Sequence, residues 1–234
     1  MGASNPVGTG TPPGLRVVAF DIIGTVFSMA PMRTALTELG LPALALDFLY
    51  TAALRDTFAL GATGAFAPFQ SVMAGCLDEL LAMEGVTASE ARKQAVLGLM
   101  KTLPPYGDAR AAFEVLAGAG LRIVALSNGA AATTQGLLTA AGLADLVERV
   151  LSVEAVGLAK PRPEVYRYAA REAGVAPETM ALVATHPWDI HGAKAVGLVG
   201  GYVARGRPFS PALRAPDVTG ETLLDVARTL AAPP

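Results

Sequence analysis

Beyond residue 103 short apolar runs of strand length alternate with stretches of helical length to the end of the chain, and nothing else in the sequence restricts the fold as strongly. The spacing predicts a helix over 108–118, a strand LRIVALS ending at Ser127, a helix over 130–141 and a short strand around Val150. A helix over 163–173, a strand MALVAT over 180–185, a helix from Asp189 to Val196 and a strand LVGGYVA over 198–204 follow, and a last short strand and helix close the chain. Strictly alternating elements build parallel βαβ units, whose crossovers are right-handed. All strand C-termini then lie along one edge of the sheet, where open α/β sheets bind ligands.

The run LRVVAFDIIGTVF over 15–27 adds a buried strand whose C-terminal end carries Asp21, followed by Gly24-Thr25. From 30 to 103 the pattern becomes helical, with breaks near Gly40-Leu41-Pro42, Gly61-Ala62-Thr63-Gly64 and Gly85, which suggests four or five helices. Leu103-Pro104-Pro105-Tyr106-Gly107 ends this block, because tandem prolines favour extended backbone and stop a helix. The expectation is an α/β chain with a Rossmann-like parallel sheet core over 15–29 and 104–234, an inserted helical subdomain over 30–103, and a flexible leader over 1–14.

Eighteen Lys and Arg against twenty Asp and Glu, scattered along the chain, offer no basic face for a phosphate backbone, so nucleic acid is not an expected partner. Mean hydropathy is high, at +0.44. Even so, the longest charge-free stretch, Ile123 to Ala144, is interrupted by Ser127-Asn128-Gly129 and Thr133-Thr134-Gln135, and no membrane span is expected. The first fourteen residues lack the basic start and apolar core of a signal peptide. With Cys76 as the single cysteine no internal disulfide can form, and a cytoplasmic location fits.

Polar residues interrupt the apolar core at the ends of the predicted strands: Asp21, then Ser127-Asn128, then Lys160, then Thr185-His186-Pro187-Trp188-Asp189. Two carboxylates, a hydroxyl, an amide and an ammonium would converge there on one sheet edge as a hydrogen-bonded, charged site. Taken singly, each has a plainer reading: Asp21 could cap a turn, and Lys160 before Pro161 could be a solvated loop residue. The rarest residues cluster in the same place, since both histidines and the only tryptophan fall between 186 and 191.

Phe20-Asp21-Ile22-Ile23-Gly24-Thr25 together with Leu126-Ser127-Asn128-Gly129, Lys160-Pro161 and Trp188-Asp189 resembles the haloacid dehalogenase superfamily across nearly the whole chain. Trp188-Asp189, Tyr166 six residues after Lys160, and Leu54-Arg55 in the helical insertion look like its L-2-haloacid dehalogenase branch, in which the insertion is a helical cap. The resemblance implies attack by Asp21 on C2 of a short 2-halocarboxylate, then cleavage of the resulting ester by water, with no cofactor and no metal. It implies that Lys160 and Asp189 serve Asp21, that Ser127 and Thr25 hold the substrate carboxylate or orient the nucleophile, and that Arg55, Asn128 and Trp188 surround the departing halide. Tyr166 and Ile23 would contribute to the pocket. A plainer reading pairs Arg55 with Asp56 or another acid on a solvated helix face, and makes the stripe Phe58, Phe66, Phe69 cap core. Helical caps with apolar faces often pair, so a homodimer is a further expectation.

The chain departs from this pattern in places. Phosphatases of the superfamily carry a second aspartate two residues after the nucleophile as general acid and base, a function typically worth about two to four orders of magnitude. Ile23 stands there, which argues against a Mg2+-dependent phosphatase using Asp21 and Asp189, though that alternative stays open, as does a non-catalytic small-molecule binder. Dehalogenases usually place a tyrosine at Ile23, and a serine and an asparagine at Ala184 and His186. His186 could therefore bind or deprotonate the hydrolytic water, since imidazole titrates near neutrality, or it could only fill the space of the lost asparagine.

Overall fold

The computed structural model describes residues 14–233, so the expected leader over 1–14 lies, but for Gly14, outside the described residues. The first strand, β1 (Val17–Phe20), is fully buried and is followed by four inserted helices, α1 (Ala30–Glu38), α2 (Ala45–Ala62), α3 (Phe69–Met83) and α4 (Glu90–Gly98). The alternating half then runs α5 (Ala109–Gly118), β2 (Arg122–Ser127), α6 (Ala131–Ala140), β3 (Arg149–Ser152), α7 (Pro163–Glu172), β4 (Met180–Ala184), α8 (Pro187–Ala195), β5 (Val199–Val203), β6 (Val218–Gly220) and α9 (Leu223–Ala231).

The six strands of the described residues are all parallel, in the order β3-β2-β1-β4-β5-β6. β1 is therefore flanked by β2 and β4, with Phe20 level with Ala125 on one side and Val183 on the other, and the residues that follow these three strands meet at one edge. Side chains alternate across the sheet with period two. Val17 and Ala19 join the cluster packed on α7, whereas Val18 and Phe20 join a larger cluster with α5, α9 and the inserted helices. Burial on both faces is why these strands read as unbroken apolar runs.

The chain leaves and re-enters this core at neighbouring points. Ser28 N donates to Pro104 O and Tyr106 N to Val26 O, so the Pro-Pro segment lies antiparallel beside Phe27. Two contacts tie the far end of α2 and the segment after it to the core: Arg162 Nη1 donates to Gly61 O at 3.2 Å, and Phe66 packs on the α7 face of the sheet.

One boundary differs in a way that affects the site. The helix expected from Asp189 begins at Pro187, because proline is tolerated at the first helical position, where no intrahelical partner for its missing N–H exists. His186 keeps an extended backbone just before it, and Asp189 falls in the first turn, where a helix N-terminus favours negative charge.

Candidate active site

Asp21 follows β1 directly, and its backbone N–H donates to Val183 O, which pins it between β1 and β4. Each carboxylate oxygen is engaged. Lys160 Nζ donates to Oδ1 at 3.1 Å, while Thr25 Oγ1 donates to Oδ2 at 2.7 Å and His186 Nδ1 lies 3.0 Å from the same oxygen. Thr25 is fixed in turn by the Thr185 backbone N–H, which donates to its Oγ1 at 3.0 Å. Gly24 makes the turn possible, with φ of +83° and with a Cβ at that point only 3.1 Å from the His186 ring.

Lys160 is fully buried and also donates to Asp189 Oδ2 at 2.8 Å, so one ammonium bridges two carboxylates. Its main-chain N–H donates to Asn128 Oδ1 at 3.0 Å, which ties the Lys160–Pro161 segment to the end of β2. The other Asp189 oxygen accepts from Tyr166 OH at 2.6 Å. Gly192 lets α7 and α8 approach closely enough for this bond, since a Cβ there would stand 2.6 Å from Tyr166 OH and 2.7 Å from Pro161. Of the two tyrosines on α7, Tyr166 thus belongs to the site, while Tyr168 lies beside Arg171.

Burial alone would push the Asp21 carboxyl up, but the Lys160 ammonium and the hydrogen bonds from His186 and Thr25 outweigh it and hold the pKa well below the ordinary value. Asp189 is pushed the other way, chiefly by complete burial and in part by the nearby Asp21 charge, against the pull of Lys160. Burial opposes the Lys160 charge, yet its two carboxylate partners raise its pKa. Of the two carboxyls sharing the ammonium, Asp21 is the one favoured as the ion, as a carboxylate nucleophile requires.

A cleft of about 900 Å³ opens beside this network, walled at its inner end by Gly24, Thr185, His186 and Trp188. Asp21 lies one contact beyond that wall, its side chain 9% exposed. The His186 ring is held between aromatic neighbours, 5.6 Å from Tyr50 and stacked on Trp188 at 5.3 Å. Phe58 meets Trp188 edge-on at 5.3 Å. The expected phenylalanine stripe therefore divides: Phe58 lines the cleft, Phe69 is buried against Tyr50, and Phe66 packs on the opposite face of the sheet.

Other expected residues fall differently. Ser127 is buried at the end of β2, its Oγ accepting from Gly129 N at 2.9 Å. Arg55 lies on the cleft wall, but its guanidinium is turned to Asp56 at 2.8 Å and Glu79 at 3.3 Å, with a half-exposed side chain. The plainer pairing describes its position, and the structure does not bring it to Asp21. Ile23, read as a pocket wall, is buried in the apolar cluster and bridged to Phe27, and it is not among the residues that line the cleft. His191 accepts from the Arg214 N–H, away from the network.

Tyr50 was not legible as a site residue. It occupies α2 with Leu46, Leu54 and Phe58, a stripe spaced by four that faces the cleft, and this spacing is the signal that could have found it. Burial and the charges of Asp21 and Asp189 raise its pKa well above the ordinary value and keep the phenol protonated.

The sequence profile of haloacid dehalogenase-like hydrolases matches residues 15–197, most of the chain and the whole network around Asp21, Lys160 and Asp189. The chain belongs to this family. Among the relatives of this haloacid dehalogenase-like hydrolase, (S)-2-haloacid dehalogenase 1 of Pseudomonas sp. (strain CBS-3) is 30% identical over 186 residues, 78% of this chain and 82% of that protein. Phosphoserine phosphatase of Thermus thermophilus is 37% identical over 110 residues, 46% of this chain and 44% of that protein. A solved L-2-haloacid dehalogenase from Xanthobacter autotrophicus with chloropropionic acid covalently bound superposes with a TM-score of 0.83 at 26% identity, covering 92% of this chain and 97% of that one. Among the described residues, no helix is long and apolar enough to cross a membrane.

Proposed function

We propose that this hydrolase cleaves the carbon–halogen bond of short L-2-haloacids and releases D-2-hydroxyacids through an ester on Asp21. The observation that carries the reading is a buried Asp21 held ionised by Lys160, Thr25 and His186, with Ile23 where a phosphatase needs its second aspartate. A poorly hydrated carboxylate is a strong nucleophile, and rear attack on C2 inverts that centre as the halide leaves. The covalently bound chloropropionic acid of the Xanthobacter relative supports an intermediate of this kind.

In the first step the Asp21 oxygen forms a bond to C2 and the carbon–halogen bond breaks. The Ser127 hydroxyl, which accepts from Gly129 N and keeps its proton free to donate, and the N–H groups of the following turn receive the substrate carboxylate. Trp188 and Asn128 stand at the halide. Arg55 joins them once it leaves Asp56 and Glu79, an exposed pairing of the kind that a bound anion can displace. Donors aimed where negative charge develops are the largest contribution such a site can make.

Ester formation removes the Asp21 charge and with it the reason for the His186 hydrogen bond. His186, 3.0 Å from the carboxylate and facing the cleft, then takes the water that attacks the ester carbon and accepts its proton. The leaving oxygen becomes the product hydroxyl and Asp21 is restored.

The phosphatase relative raises the alternative of a Mg2+ site, which the donors do not fit. Asp21 and Asp189 both direct an oxygen to Lys160 Nζ, and the described residues hold no group of three or more His, Cys, Asp or Glu side chains that could bind a metal ion. The test is halide release from L-2-chloropropionate in metal-free buffer beside an Asp21→Asn control. Release that disappears in the control, with D-lactate as product, supports the reading; phosphate release from phosphomonoesters that Mg2+ stimulates, with no halide release, overturns it. A His186→Asn enzyme unchanged in both alkylation and ester hydrolysis would remove His186 from the second step.

A further inference from the structure

The cleft is much larger than a short haloacid needs. A six-atom acid such as 2-chloropropionate fills the space of about four liquid waters, at about 30 Å³ each, whereas clefts of roughly 300–1,000 Å³ enclose far larger ligands. At about 900 Å³ this one is lined by His186, by the apolar stripe Leu46, Tyr50, Leu54 and Phe58, and by the turn after β5.

The cleft carries more basic than acidic side chains. The residues lining the cleft include four arginines, Arg33, Arg55, Arg205 and Arg207, and a single acid, Asp47. Arg33 is committed to Asp47 at 2.7 Å, and Arg55 to Asp56 and Glu79. Arg205 spans a longer 3.5 Å contact to Asp108, donates to Thr25 O at 3.2 Å, and lies 3.7 Å over the Tyr106 ring. Arg207 makes no side-chain hydrogen bond or ion pair among the described residues, and the acid that feels its charge, Asp47, is already bonded to Arg33.

The turn that carries Arg205 and Arg207 is built firmly. Arg207 N donates to Ala204 O, Tyr202 OH donates to Arg207 O at 3.1 Å, and Gly206 N donates to the Glu221 carboxylate at 2.8 Å. Arg205 has φ of +46°, the only non-glycine in the left-handed region among the described residues. A long side chain is held in that region only where its surroundings fix it.

We propose that the Arg205–Arg207 turn is a second anion subsite, and that the preferred substrates are 2-halo dicarboxylates, whose far carboxylate pairs with the Arg207 guanidinium while the methylene chain lies on the α2 stripe. This rests on the dehalogenase reading and adds the substrate class. A planar guanidinium suits bidentate pairing with a carboxylate, and Arg207 is the lining arginine that no ion pair occupies. The chemistry at C2 is unchanged: Asp21 displaces halide, water cleaves the ester, and a 2-hydroxy dicarboxylate, a halide ion and a proton result.

The test compares L-2-chlorosuccinate, L-2-chloroglutarate and L-2-chloroadipate with L-2-chloropropionate and L-2-chlorohexanoate, in wild type and Arg207→Gln. The proposal predicts that at least one dicarboxylate exceeds the monocarboxylates in kcat/KM by about tenfold or more. In Arg207→Gln the KM for that acid rises about tenfold with little change in kcat, and 2-chloropropionate turnover stays as it was. Dicarboxylates no better than the chlorohexanoate, or a preference that survives Arg207→Gln, overturn it. If no acid releases halide, the dehalogenase reading fails instead. Calorimetry with glutarate then decides the subsite alone: binding weakened in Arg207→Gln sustains it, and binding unchanged or absent in wild type overturns it.

Discussion

The two sides of the cleft are held together by different physics. On the sheet side, Lys160, Asp189 and Tyr166 are fully buried and joined by bonds of 2.6 to 3.1 Å that leave no carboxylate oxygen of Asp21 or Asp189 without a donor. On the helical side, Arg55 is held only by exposed pairs to Asp56 and Glu79 and Arg33 by a half-exposed pair to Asp47, beside the largely apolar stripe of α2. A buried charge left unpaired is costly, whereas an exposed pair contributes little and rearranges easily. The sheet side is therefore preorganised around an ionised Asp21, and the exposed pairs of the helical side are free to rearrange.

Substitutions on the two sides should separate activity from stability in opposite ways. Asp21→Asn has the largest expected effect, a loss of halide release on the order of 10⁴- to 10⁶-fold, as for removal of other covalent nucleophiles. Lys160→Met comes next and strikes both properties. Removing one partner of a buried ion cluster costs about 3–5 kcal/mol, a melting temperature lower by on the order of 10 °C, with activity reduced by at least about 100-fold. A variant that melts like wild type would show that the ammonium is not what holds the two carboxylates.

Tyr166→Phe leaves Asp189 Oδ1 without its 2.6 Å donor and should cost about 1–3 kcal/mol in thermal denaturation, with a smaller loss of rate than Lys160→Met. Arg55→Gln should invert that profile, lowering halide release by about 10- to 100-fold while leaving the melting temperature within error. A large drop in melting temperature for Arg55→Gln would erase the contrast between the two walls. The smallest effect concerns Cys76, whose thiol burial, helped by Asp56, pushes up to about 11. Thiol reagents at pH 8 should modify it slowly and leave activity intact.

The low pKa of Asp21 also sets a pH dependence. Its folded value lies below its unfolded value, so its share of stability is present above the ordinary carboxylate range and is lost as pH falls through the folded value. The burst of halide release in the first turnover should accordingly hold steady from neutrality down through the ordinary carboxylate range. A burst that halves near pH 4 would place an unperturbed carboxylate at the nucleophile.

Most of the sheet side was legible in the sequence, because a polar residue that ends an apolar strand has its position fixed by the strand. Asp21 and Ser127 came from that rule directly, while Lys160, in the loop after β3, and Asp189, in the first turn of α8, were found as polar residues following a strand, and the parallel order of the strands brought all four to one edge. The helical side was less legible, since helical spacing marks a buried face without saying what it faces. Tyr50 was missed for this reason, and Arg55 could be placed on α2 but its rotamer could not. Ile23 could be placed two residues after Asp21 but its direction could not; the turn over 21–27 directs it into the apolar cluster. The Arg205–Arg207 turn left no trace in the strand pattern, as its shape depends on Tyr202 and on Glu221 from beyond β6.

The central claim is that Asp21 becomes covalently bound to the substrate, and the most direct test is one turnover in H2(18)O with enzyme in excess over L-2-chloropropionate. The account predicts D-lactate without label in its new hydroxyl and one labelled oxygen in the peptide containing Asp21, read by mass spectrometry. Lactate that carries the label from the first turnover, with Asp21 unlabelled, would mean that water attacks C2 directly and would contradict it.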